Sequence, residues 1–201
     1  MEPSRQPSTR GRPRTITHER IAEAGIQIGM QNITFVGVAA ALGVSHMALY
    51  KHVPNLEALK RLVAQEMFNR WEIPEATDHR QEGLKDYLLV FAASIQRCVK
   101  LYPGLTPYMI HRPAATQSTL QKIDDHHSHI AQIYGLQKEQ ARWLLSTIAF
   151  HCFSVADTVY SIVRQDAVSD ESEMEKEIMQ GMKALIVGAL VMLENNTYLE
   201  Q

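Results

Sequence analysis

The 201-residue chain has only two cysteines, Cys98 and Cys152, each set within an apolar helical pattern and without metal-ligand spacing. That excludes a disulfide framework and predicts buried thiols in a reducing compartment. Long hydrophobic runs are also missing. The longest, "ALIVGALVML" at 184–193, has ten residues between Lys183 and Glu194, about half of what a membrane-spanning helix needs. The first fifteen residues, "MEPSRQPSTRGRPRT", hold no apolar stretch of the kind a secretory signal requires. A soluble, cytoplasmic protein with no membrane partner is expected. Prolines and glycines are few, and most fall between periodic segments. There is no Gly-rich phosphate loop, no Gly-x-Ser-x-Gly, no His-Glu-x-x-His and no glutamate followed three residues later by histidine. Hydrolase, phosphoryl-transfer and di-metal carboxylate chemistry therefore have no footing, and neither an enzyme nor a cofactor or metal requirement is expected.

The chain also lacks an overall excess of positive charge: its net charge is −2. The distribution is uneven. Residues 1–52 carry six Lys/Arg against three acids, a balance of +3, which leaves −5 for the remainder. A basic front and an acidic back predict two modules with different partners.

Hydrophobic residues make up 45% of the chain, enough for a substantial core, and their period is helical throughout. The spacing predicts helices over about 18–30, 35–42, 46–52, 56–71, 82–101, 104–111, 114–134, 137–165 and 171–195. The first four begin after Thr17, Thr34, Ser45 and Asn55, residue types that cap helix N-termini. Apolar pairs Ile16/Ile21, Ile33/Val38 and Val44/Leu49 bracket three of these starts as hydrophobic staples, which set the angle at which the chain joins each helix. Short helices are marginal alone, so these must pack on one another.

The segment "TFVGVAAALGVSHMALYKHV" has the build of a helix-turn-helix. Ala39 permits a close crossing, Gly43 suits a left-handed helix end, Val44 points inward and Ser45 caps the second helix. A second helix of this kind enters the DNA major groove by its N-terminal residues, here His46 and Met47.

The wider stretch "GRPRTITHERIAEAGIQIGMQNITFVGVAAALGVSHMALYKHVPNLEAL", residues 11–59, resembles the N-terminal DNA-binding domain of the TetR family of bacterial repressors. The "GRPR" tail, the Thr34 start, "LGVS", "ALYKHV" and "EAL" match in order and spacing. The resemblance implies an all-α protein: a flexible basic arm at 1–15, a three-helix helix-turn-helix domain at 16–60 with a linking helix to about 72, and a helical ligand-binding and dimerisation domain at 73–201. It implies that Thr34, Tyr50, Lys51 and His52 hold phosphates, and with Ser45, His46 and Met47 these form the expected DNA-binding set. Two departures are plain. Val36 and Gly37 stand where many relatives carry arginine, and Leu56 where many carry lysine. Arg12 and Arg14 in "RGRPR" suit a compensating arm along a minor groove or neighbouring phosphates; the competing reading is an ordinary solvated tail.

In the second domain the resemblance implies a small-molecule cavity and a two-fold dimer that would match a palindromic operator. The residues are compatible with both. The segment 141–163 is apolar on almost every face, with Leu144, Ile148, His151, Val155, Val159 and Ile162 on one stripe. Such a helix must be covered on both sides, and with 171–195 it predicts an intersubunit four-helix bundle. Candidate ligand contacts are Tyr87, Phe91, Tyr108, His111, His127, Trp143 and His151, with Tyr102, Met109 and Tyr160 as further lining. His127 and His151 lie on apolar stripes, where an unsatisfied ring would cost about 1–3 kcal/mol. Three readings stay open for these histidines: contact with a ligand, a metal with Asp124 or Asp157, or a hydrogen bond within the core. In "DDHHSH" at 124–129, His126 and His129 are expected to face solvent. The function so implied is a dimeric DNA-binding regulator, most simply a repressor released from its operator by a small apolar or aromatic effector. The alternative is a regulator without a small-molecule ligand.

Overall fold

The computed structural model describes residues 16–76, 81–111, 115–162 and 171–198. Among them the chain is helical: α1 (His18–Ile28), a 3-10 turn (Met30–Asn32), α2 (Phe35–Leu42), α3 (His46–Tyr50), α4 (Leu56–Arg70), α5 (Gln81–Leu101), α6 (Thr106–Ile110), α7 (Gln117–Tyr134), α8 (Lys138–Ile162) and α9 (Glu171–Glu194). No helix among the described residues is long and apolar enough to cross a membrane.

The first four helices start where side-chain caps place them. Thr17 Oγ1 accepts from Arg20 N at 3.3 Å, Thr34 Oγ1 from Gly37 N at 3.0 Å, Ser45 Oγ from Ala48 N at 3.2 Å and Asn55 Oδ1 from Ala58 N at 2.8 Å. Each satisfies an N–H with no partner inside its helix. The inner members of the three staples, Ile21, Val38 and Leu49, are fully buried. Gly43 ends α2 at φ 70°, ψ 34°, and the bonds Val44 N→Ala39 O (3.0 Å) and Gly43 N→Ala40 O (3.0 Å) close a Schellman motif. α1 and α4 cross at Gly25, where a Cβ would overlap the side chain of Val63. Arg70 on α4 reaches Glu23 on α1 at 2.6 Å and Glu66 at 3.0 Å across the same face.

α4 ends at Trp71, and this ring joins the first four helices to the rest. It lies 5.9 Å from Phe68, 6.1 Å from Phe91 of α5 and 5.8 Å from Phe153 of α8. α5 packs on α8 and α9, and α7 packs on α8. A polar cluster pins the α5–α8–α9 junction. Gln96 Nε2 donates to Tyr160 Oη at 3.0 Å, Tyr160 donates to Glu175 at 3.0 Å, and Lys100 pairs with Glu175 at 2.9 Å.

Cys98 and Cys152 are buried, and that burial pushes both thiols up to about 12, so they are inert core residues. The inward stripe of α8 differs from the expected one. It runs through Leu144, Leu145, Ile148, Cys152, Phe153, Ala156 and Tyr160, while His151 and Val155 are exposed. This long helix packs against α5, α6, α7 and α9, so its buried face is set by several partners rather than by one straight stripe. Phe150 and Val155 of α8 and Val187, Val191 and Met192 of α9 are left exposed. Gly181 and Gly188 have open space where a Cβ would stand.

Candidate functional site

Two places concentrate polar chemistry that the core does not consume. The first is the outer face of α2 and α3. Thr34, Ser45, His46, Met47, Tyr50, Lys51 and His52 are all exposed. α3 has only five helical residues and then turns through Lys51 and His52, with His52 N→Leu49 O at 2.9 Å and Val53 N→Leu49 O at 3.1 Å. The expected continuation of the helix to His52 is therefore a tight turn. This short helix is fixed from both sides. The Tyr50 ring stacks on Phe35 at 4.1 Å and 11°, which holds the phenol beside the start of α2. His18 Nε2 lies 3.3 Å from the His52 carbonyl oxygen, tying the start of α1 to the end of α3. Thr34 and Ser45 accept cap bonds through their oxygens, so each hydroxyl proton is still available to a phosphate.

The departures from the resemblance have structural counterparts. Val36 is 70% exposed and Leu56 41% exposed, so apolar side chains stand at the surface where cations were expected. At Gly37 a Cβ would come within 3.0 Å of Thr34 Oγ1, so the glycine gives the Thr34 cap its room. Arg12 and Arg14 lie outside the described residues.

The second place is a partly open cavity of about 430 Å³ lined by the end of α4 and by α5, α6, α7 and α8. Trp71, Phe91, Leu120 and Phe153 give it an aromatic and aliphatic wall. Gln117, Gln121, Asp124, His126, His127, Arg142 and Ser146 give it a polar one. Of the expected ligand contacts, Phe91 and His127 line it, as does Met109. Tyr87 stands one step behind the wall, with its Oη 2.8 Å from His126 Nε2. Burial drives the Tyr87 phenol well above its ordinary range and the His126 imidazole down to about 4. Both are therefore neutral near pH 7, and the imidazole tautomer sets which of the two donates.

The other candidates lie elsewhere. Tyr108 turns towards α4, donating to Glu57 at 3.4 Å. His111 is exposed at the end of α6. Trp143 packs on Tyr198 at 5.0 Å. His151 is exposed, its Nδ1 donating back to Thr147 O at 2.7 Å, a bond within its own helix turn. Tyr102 and Tyr160 are also off the cavity wall, Tyr160 being held in the α5–α8–α9 cluster. The metal reading finds no support: no group of three or more His, Cys, Asp or Glu able to hold an ion occurs among the described residues.

His126 corrects the expectation that it faces solvent. It is half-buried, lines the cavity and stacks over Phe91 at 5.8 Å. It lies three residues after Ile123 and four before Ile130, so a broader apolar stripe on α7 would have included it. His127 is 7% exposed and makes no hydrogen bond to a described residue. Burial lowers it to about 4, with Arg142 and Lys138 adding to the effect and Asp124 opposing it. Arg142 and Trp71 were not expected at this site, and Asp124 only as a metal partner of the histidines. Their helical positions mark them only as a surface acid, a surface base and a core aromatic.

No family model matches the chain, and no curated protein matches its sequence. Solved structures do match. A TetR variant from Acinetobacter baumannii AYE in complex with minocycline superposes with a TM-score of 0.70 at 19% identity, covering 89% of this chain and 99% of that one. The TetR family protein ActR of Streptomyces coelicolor in complex with (S)-DNPA gives 0.69 at 17%, covering 88% and 98%. ActR without ligand gives 0.66 at 17%, covering 89% and 98%. With the capped helix-turn-helix at one end and a helical domain lining a cavity at the other, the chain has the TetR-family fold.

Proposed function

We propose that the protein is a dimeric helix-turn-helix transcriptional regulator, a repressor released from a palindromic operator by a small apolar or aromatic effector. The observation that carries the DNA-binding part is the outer face of α2 and α3. Seven polar or reading side chains stand exposed on helices whose caps, staples and Phe35–Tyr50 stack leave them little freedom. In this reading His46 and Met47 meet base edges, and Thr34, Ser45, Tyr50, Lys51 and His52 meet phosphates, with the arm residues Arg12 and Arg14 adding backbone contacts.

The dimer is supported by the apolar strip Phe150, Val155, Val187, Val191 and Met192, uncovered on adjacent helices beside the open Gly181 and Gly188. A strip shared by two long helices suits an isologous four-helix contact. Response to an effector is supported by the cavity and by its connection to α4. Gln65 of α4 bonds Thr116 and Thr119 at the start of α7, whose Gln117 and Leu120 line the cavity. An occupant that shifts α7 must disturb these bonds. Two of the matching structures hold small molecules, minocycline and (S)-DNPA.

The test separates phosphate from base contacts on a panel of duplexes titrated across salt. Lys51→Ala should weaken binding to every duplex and reduce the salt slope by about one. Met47→Ala and His46→Ala should instead change the rank order of duplexes and leave the slope. If Lys51→Ala leaves affinity unchanged at every salt concentration, the proposed interface is wrong.

A further inference from the structure

The polar groups of the cavity are unequally occupied, and the imbalance has a sign. The Asp124 carboxylate is held by Lys138 Nζ at 2.7 Å. His126 is hydrogen-bonded to Tyr87, and the Gln121 amide donates to Asp125 at 2.8 Å. Arg142, His127, Gln117 and Ser146 on the wall make no hydrogen bond to a described residue, and Asp124 lies close enough to act electrostatically on Arg142 and His127. Arg142 is a solvent-exposed member of the wall with no ion pair within 4 Å, and it lies close enough to His127 to depress its protonation. His127 itself has no hydrogen bond. Arg142 only donates, and neutral His127 offers one donor and one acceptor. Of these groups only the Arg142 guanidinium is charged, and the nearby Asp124 carboxylate is already paired with Lys138.

We propose that this cavity takes an aromatic anion, with a flat ring body against Trp71, Phe91 and Phe153 and an acidic oxygen at Arg142 beside His127. The volume of about 430 Å³ suits a molecule of two or three fused or linked rings. The guanidinium supplies charge-assisted bonds that a neutral ligand cannot use. A cation would face Arg142 and Lys138 and find Asp124 already engaged. This names the chemical class of the effector proposed above and takes its regulatory meaning from that reading.

Two fluorogenic probes with the same rings separate the possibilities: 8-anilinonaphthalene-1-sulfonate, an anion, and N-phenyl-1-naphthylamine, its neutral counterpart. Both are titrated into the full chain. The anion should bind about tenfold more tightly than the neutral probe, the scale of one charge-assisted contact. Arg142→Met should remove most of that preference and leave the neutral probe within about twofold, and Arg142→Lys should restore part of it. Ser146→Trp, which fills the cavity, should abolish both. The proposal is overturned if the neutral probe binds as tightly as the anion, if Arg142→Met weakens both alike or neither, or if neither probe binds.

Release of a bound operator duplex, followed in the same samples, keeps the two readings apart. A neutral probe that binds as well as the anion and frees DNA overturns the anion preference but supports the effector reading. An Arg142-dependent anion that leaves DNA bound supports the preference and counts against the regulatory reading.

Discussion

In residues 16–70 each helix begins at a side chain bonded to an N–H three residues on, whereas in residues 81–162 the bonds that shape the chemistry join residues 39 and 64 apart. The helix-turn-helix end is thus a set of short helices whose ends are fixed locally and whose exposed side chains point outward. The cavity end is a set of long helices whose working side chains are chosen by which faces meet. A substitution acts on the first through caps and close approaches, and on the second through burial and pairing.

The largest effect should follow from breaking the one close crossing in the first region. Gly25→Ala places a methyl against Val63, and overpacking of this kind costs about 3 kcal/mol at the upper end of its usual range. Thermal melts followed by circular dichroism should show a marked fall in Tm, partly restored by Val63→Ala.

Second comes acid sensitivity of the cavity region. His126 and His127 are lowered to about 4 in the fold, chiefly by burial, from an unfolded value of 6.5. Between these values the unfolded chain binds more protons, so stability is full above about pH 6.5 and falls as pH drops towards 4. Tm should fall steadily as pH is lowered across that window. Melts of His127→Leu should show a shallower dependence on pH.

Third, Ser45→Ala removes the cap of α3 and should cost about 1 kcal/mol. Because α3 is so short, DNA affinity should fall with it. The smallest effect is expected at His111, exposed at the end of α6, where His111→Ala should leave stability within about 0.5 kcal/mol of the parent. Two histidines of one chain would then differ because of where the fold places them.

The same contrast explains what could be read in advance. Thr34, Gly43 and Ser45 announce their structure because the cap and the left-handed turn are decided within a few residues, and the helix ends follow. His46, Met47 and Lys51 are exposed as expected because a short helix packed by Leu49 and Ala48 has only one free face. In the second region the period located the helices but not their orientation. His151 sits on an apolar stripe by spacing yet faces out, because the buried face of α8 is set by several partners rather than by one straight stripe. His126 lines the cavity because Tyr87, 39 residues earlier, stands opposite it. Arg142 is reached only by folding α8 onto α7, and no local pattern marks it.

The most direct test of the central claim is selection of bound duplexes from a random pool by the full-length protein. The account predicts enrichment of a two-fold symmetric site whose half-sites lie on one face of the duplex. Enrichment of no symmetric site, with all duplexes retained equally, would contradict it.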